Sequence, residues 1–159
     1  LGDVSKCPLA ASVPFLGMCL GGQMLARHLG GKVYGFPDDR AEIGYYDISA
    51  TAEGAAYGPW PQKVYQWHRE GFELVDGAVC LATSNGDFPH QAFRYGERAW
   101  GVQFHPEFSA DVMRAYLQAL SGDSLSQQQV DAHLQEVREC HDASAILARF
   151  AQLTLAEVA

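Results

Sequence analysis

Three side chains in this sequence could together break an acyl bond: Cys19, His105 and Glu107. Cys19 stands in the run Gly17-Met18-Cys19-Leu20-Gly21-Gly22-Gln23. A thiol attacks as its thiolate, and the start of a helix stabilises that form through partial positive charge and unsatisfied N–H groups. Gly17 and Gly21 on either side suit a tight elbow, where backbone angles are unusual and bulky neighbours would block a substrate. At such an elbow the N–H of Leu20 would point at the oxyanion of a tetrahedral intermediate. His105 and Glu107 close the run Trp100-Gly101-Val102-Gln103-Phe104-His105-Pro106-Glu107-Phe108. Pro106 biases His105 towards extended geometry, so side chains two apart can project to one side. An imidazole to shuttle the proton and a carboxylate to fix its tautomer are what a cysteine nucleophile requires. Each half has a plainer reading. The cysteine alone is a small buried residue in a glycine-rich turn, and the His-Pro-Glu alone is a solvated surface loop. Their co-occurrence is what points to chemistry.

The elements that must position these groups are legible as changes of period. Val13 to Leu16 reads as a short buried strand, with Pro14 near its beginning where a lost N–H is tolerated. Leu20, Met24, Leu25 and Leu29 then fall at helical spacing, and Gly30-Gly31 supply the stop. Residues 13–30 therefore form strand, sharp turn and helix, with Cys19 at the turn. After Lys32-Val33-Tyr34 comes a polar loop from Pro37 to Arg40, then a strand near Tyr45 to Ser49 and a Gly/Pro-rich loop from Thr51 to Gln62. Strands are expected at Val64–Trp67, Ala78–Ala82, Gln91–Tyr95 and Ala99–Phe104, and the close spacing of the last three gives them an antiparallel meander character. Ser109 and Asp111 open a helix through Leu120, with Val112, Met113, Tyr116, Leu117 and Leu120 on its apolar face. Further helices cover Ser124 to Glu139 and about Ala143 to Val158, the latter turning Ile146, Leu147, Phe150 and Leu153 inward. The expectation is one domain over residues 1–159, an α/β core to residue 120 followed by C-terminal helices.

Composition narrows the partners. The 159 residues are 48% apolar and 19% charged, an ordinary globular composition. A net charge of −8 without clustered cations argues against a nucleic-acid or anionic-membrane partner. No apolar run approaches the roughly 18–20 residues of a membrane span, and Leu1 to Lys6 lacks the order of a signal peptide. The four cysteines (7, 19, 80 and 140) form no CxxC pair, so neither a zinc site nor a disulfide frame is indicated, and no metal or cofactor is expected. Reduced thiols and a cytoplasmic location are the expectation. Cys80, in an apolar run, reads as part of a buried strand.

The runs Pro14-Phe15-Leu16-Gly17-Met18-Cys19-Leu20-Gly21-Gly22-Gln23 and Gly101-Val102-Gln103-Phe104-His105-Pro106-Glu107 resemble those of class I glutamine amidotransferase domains. Glu42-Ile43-Gly44 and Trp67-His68 before Gly71-Phe72 resemble stand-alone members related to the GMP synthase glutaminase domain. The resemblance runs from about Val13 to Leu120. It implies a mixed, mostly parallel sheet flanked by helices, the flavodoxin-like fold of that family, with a helical C-terminal extension. It also implies that Cys19 forms a γ-glutamyl thioester and releases ammonia, with His105 and Glu107 completing the triad. Gln23 and Gly21 would contact the bound glutamine, and His68 would line the same pocket. The other histidines (His28, His90, His133, His141) match no motif. Family members begin with a strand, a helix and a glycine-rich loop that donates a second oxyanion N–H and holds the amino-acid end of the substrate. Such a unit takes about 30 residues, and only about a dozen precede the strand here, so the chain as given is expected to be N-terminally truncated. Loss of one oxyanion donor costs roughly 3–4 kcal/mol of transition-state stabilisation, and the sheet would expose an edge open to pairing.

Three readings follow. Glutamine is hydrolysed and its ammonia passes to a synthetase; or the same triad cleaves a γ-glutamyl amine or peptide; or the fold is kept for a non-catalytic, regulatory role. The sequence leaves the oligomeric state open.

Overall fold

The computed structural model describes residues 13–120, 126–139 and 144–155; Cys7, Cys140 and His141 lie outside them. Strand β1 (Phe15–Met18) begins just after Pro14 and leads through Cys19 into α1 (Leu20–His28). There follow β2 (Val33–Gly35), β3 (Glu42–Asp47), β4 (Ser49–Ala50), a one-turn helix α2 (Ala52–Ala55), β5 (Lys63–His68) and β6 (Glu70–Phe72). A meander of β7 (Ala78–Thr83), β8 (His90–Tyr95) and β9 (Ala99–Val102) precedes three helices, α3 (Ala110–Leu120), α4 (Gln127–Glu139) and α5 (Ser144–Leu155). Strand β2, helix α2 and strand β6 were not assigned from the apolar pattern. The α2 turn lies in the stretch expected to be loop, capped by Thr51, whose hydroxyl accepts the Gly54 N–H. Three-residue β6 forms by pairing antiparallel with β2, a tertiary rather than local cause.

The main sheet runs β1-β9-β8-β7-β4, with separate ribbons β2-β6 and β3-β5. The mixed sheet with flanking helices is the architecture expected. The balance of directions differs, however. Among the described residues only β1–β9 is parallel, and every other pairing is antiparallel. The short Gly-rich turns between β7, β8 and β9 leave no room for the crossovers that parallel strands need.

The single parallel pair matters most for the site. Its register sets Gly17 beside Gly101 and Met18 beside Val102, so both strands end at the same edge. Helix α1 packs close over this pair, and here the buried face differs from the apolar spacing. Leu20 and Met24 are each 63% exposed, whereas Gly22, Gln23, Leu25 and Ala26 are buried. Small residues face the sheet because the backbones nearly touch. A Cβ on Gly22 would lie 2.7 Å from the Val102 carbonyl oxygen, and one on Gly17 would lie 2.3 Å from that of Gly21.

Three apolar clusters fill the rest. Leu25, Ala26, Phe72, Phe93 and Ala99 pack beneath α1. Ile48, Val64, Leu81, Ala92, Val102 and Phe104 form the centre, with Ile146 of α5 packed against them. Tyr65, Met113 and Val137 join β5 to α3 and α4, so the helical tail packs on the core. Val112 and Tyr116, expected on the inner face of α3, remain 44% and 37% exposed, and Met113 carries the contact. Cys80 is only half-buried in β7; burial still pushes its thiol up.

The closeness of α1 to β1 gives a direct test. Gly17→Ala forces a methyl into backbone and should destabilise the chain by about 1–3 kcal/mol, read as a fall in Tm. Gly21→Ala, whose Cβ would meet nothing within 4 Å, should leave Tm unchanged or slightly raised.

Candidate active site

Cys19 lies where the parallel strands end. Its N–H donates to the Val102 carbonyl at 2.9 Å, extending the β1–β9 ladder by one bond. The residue then takes φ 47°, ψ −109°, a conformation costing a non-glycine residue on the order of 1–3 kcal/mol. That turn swings the chain into α1, whose first internal bond runs from the Gln23 N–H to the Cys19 carbonyl at 3.0 Å. The N–H groups of Leu20, Gly21 and Gly22 therefore have no acceptor inside the helix. The half-buried Cys19 thiol is 3.9 Å from the Trp67 carbonyl at the end of β5.

His105 follows β9 by three residues, and its N–H is tied to the Tyr65 carbonyl of β5 at 2.9 Å. Its ring Nδ1 is 2.7 Å from Glu107 Oε1, leaving Nε2 as the nitrogen available to Cys19. Phe108 packs edge-on against the imidazole at 4.9 Å between centroids. Burial pushes the imidazole pKa down, but hydrogen bonds and charge from Cys19 and Glu107 outweigh it and raise the value from 6.5 to about 9. Since the folded value is the higher one, the stabilisation from this group is fully present below about pH 6.5 and is lost as pH rises through about 9.

Beside the thiol opens a cleft of about 720 Å³, lined among others by Cys19, Gln23, Phe36, Asp39, His68 and Arg69. Gln23 and His68 thus reach the site, but both are already engaged. Gln23 is buried, and its Nε2 donates to the Glu70 carbonyl at 2.7 Å; the amide nitrogen ties α1 to the cleft wall. His68 is buried with Nε2 3.0 Å from Gln66 Oε1 and 3.4 Å from Glu42 Oε2. Gln66 donates in turn to Gln91 at 2.6 Å, and Gln91 to the Phe88 carbonyl at 2.8 Å. Glu42, Gln66 and Gln91, each at most 1% exposed, were not singled out from sequence as site residues. The signal was partial: Gln66 stands between Tyr65 and Trp67, and Gln91 precedes Ala92 and Phe93, and a buried amide must be hydrogen-bonded. Leu20 is the first residue of α1 and exposed, Gly21 the second. Of the remaining histidines, His28 is exposed, His90 opens β8 and His133 sits on α4. Among the described residues no group of His, Cys, Asp and Glu could hold a metal ion, and no helix is long and apolar enough to cross a membrane.

The His105 environment predicts its own titration. By ¹⁵N NMR the imidazole should titrate near pH 9. In Cys19→Ala the midpoint should fall towards 6.5, because burial is then opposed by Glu107 alone.

Comparison with known proteins places the chain in a family. The family model for glutamine amidotransferase class-I matches residues 5–120. A glutamine amidotransferase-like protein of Salmonella typhimurium is 36% identical over 109 residues, covering 65% of this chain and 44% of the relative. One subunit of the glutamine-hydrolysing GMP synthase of Thermococcus kodakarensis is 35% identical over 114 residues, covering 66% of this chain and 59% of the relative. The crystal structure of a glutamine amidotransferase from Thermotoga maritima superposes with a TM-score of 0.79 at 32% identity, covering 92% of this chain and 65% of that one. The chain spans about half the length of these curated relatives.

Proposed function

Because the chain belongs to the glutamine amidotransferase class-I family, we propose that it hydrolyses the side-chain amide of glutamine through a covalent intermediate on Cys19. The observation that carries the reading is the strained cysteine beside a histidine whose far nitrogen is held by a carboxylate. The Cys19 proton passes to His105 Nε2 as the sulfur attacks the amide carbon, and the resulting oxyanion accepts the N–H of Leu20. His105 gives its proton to the nitrogen as the C–N bond breaks, and ammonia leaves. Water then attacks the γ-glutamyl thioester, His105 accepts its proton, and glutamate is released with the thiol restored. Glu107 keeps Nδ1 protonated throughout, so Nε2 faces the reacting atoms. The likeness to a GMP synthase subunit supports a synthetase as consumer of the ammonia.

A glutamine-analogue electrophile should add one equivalent to Cys19, read by mass spectrometry of the full-length protein, and nothing to Cys19→Ala. His105→Gln should lower glutaminase kcat by about 10²–10⁴-fold, the usual worth of a general acid–base. Absence of an adduct on Cys19 would sink the reading.

The size of the cleft favours a second reading. A space of about 720 Å³ is in the range that accepts drug-sized ligands and leaves room for a leaving group larger than ammonia. The triad chemistry is unchanged if that group is an amine or peptide. Faster amine release from γ-glutamyl conjugates than ammonia release from glutamine would select it.

A further inference from the structure

The His105 segment and the C-terminal helices meet at one buried ring. Tyr65 lies inside β5 with 1% of its surface exposed. Its carbonyl accepts the His105 N–H at 2.9 Å, which fixes where the backbone of that residue runs. Its ring lies 5.0 Å from that of Phe108, and Phe108 packs against the imidazole at 4.9 Å. The same ring meets Tyr45 of β3 at 5.3 Å and His133 of α4 at 6.1 Å. Val137, one turn beyond His133 on α4, is fully buried in the same cluster. A line of rings thus runs from α4 to the reacting imidazole through His133, Tyr65, Phe108 and His105. Helix α4 begins at Gln127, whereas the match to the family model ends at residue 120. The far end of that line therefore lies outside the matched segment.

We propose that α4 positions the catalytic histidine, with Tyr65 as the residue through which its packing reaches the imidazole. The inference rests on the reading above, in which His105 moves the proton. Three observations carry it. The first is double attachment: one residue holds both the His105 backbone and the ring that flanks its imidazole, so a tilt of Tyr65 moves both. The second is direction. His133 meets Tyr65 edge-on at 71° and Phe108 meets His105 edge-on at 77°, and such contacts favour one arrangement over its neighbours. A close-packed interior passes a displacement on rather than absorbing it. The third is that the ring of Tyr65 makes these contacts and its polar end does not. The hydroxyl is buried without a hydrogen-bond partner among the described residues. Burial, and then the charge of Glu136, push the phenol above its ordinary range, so it stays neutral. A side chain buried with its hydroxyl unpaired is held in place by its ring.

Point variants of the full chain test the assignment, because ordinary core packing would move stability without moving turnover. Val137→Ala on α4 and Ile146→Val on α5 both open space in the core and should both lower Tm. Only Val137→Ala should lower glutaminase kcat, by about ten-fold, within the roughly 10²-fold that a 1 Å misplacement costs. Its KM for glutamine should not change. Tyr65→Leu should behave likewise, and Tyr65→Phe, which keeps the ring, should match the parent. The ¹⁵N titration of His105 gives a reading that needs no turnover. Its midpoint, near 9 in the parent, should fall in Val137→Ala as the bonds to Cys19 and Glu107 loosen, and should hold in Ile146→Val. Parent-like kcat or an unmoved midpoint in Val137→Ala overturns the proposal while glutamine hydrolysis stands. A Tyr65→Phe protein as slow as Tyr65→Leu overturns it too. If Tyr65→Leu does not fold, Val137→Ala decides. If the parent releases no ammonia, the hydrolysis reading fails and the midpoint decides alone: a fall in Val137→Ala keeps the positioning role, and no change discards it.

Discussion

The hydrogen bond from the Cys19 N–H to the Val102 carbonyl is the constraint on which the rest of the site depends. It is the last rung of the one parallel ladder in the described structure. Parallel neighbours run in the same direction, so the residues that leave them emerge at one edge of the sheet. This is how a cysteine near residue 20 and a histidine beyond residue 100 come within interaction range without either segment reaching across the fold. In an antiparallel pairing of the same two strands, the ends would lie at opposite edges and the two groups would never meet.

A second layer holds the far side of the cleft. The chain of buried amides from His68 through Gln66 and Gln91 to the Phe88 carbonyl crosses from β5 to β8 and onto the turn before it. Carboxylate, imidazole and amides have little water to fall back on there, and each buried polar group needs a partner in place. Such a network resists small displacements more sharply than apolar packing, because a shift breaks directional bonds as well as contacts. Trp67, whose carbonyl faces the thiol, sits between two members of the network in sequence. The position of that carbonyl is therefore set by polar groups that never touch the cleft's reacting atoms.

The sequence made the site more legible than its surroundings, for a physical reason. Gly17, Cys19 and Gly21 mark a backbone conformation that few residue combinations allow, and His105-Pro106-Glu107 stiffens a geometry through one proline. These are local constraints, readable locally. The inner face of α1 was not, because apolar spacing favours Leu20 and Met24 while close approach to Val102 demands Gly22. Strand β6 and the wall carrying Asp39 and Arg69 arise only from pairing between distant segments. Gln23 shows the same limit. Its place beside the nucleophile was legible, but the commitment of its amide nitrogen to Glu70 depends on where β6 lies.

The positive φ of Cys19 has a bearing on how this protein can change over time. At that position glycine alone is free of the backbone penalty, so a replacement by glycine relaxes the fold while removing the sulfur. Stability and chemistry pull in opposite directions at one residue. A lineage released from any need for the thiol would gain stability by drifting towards glycine there.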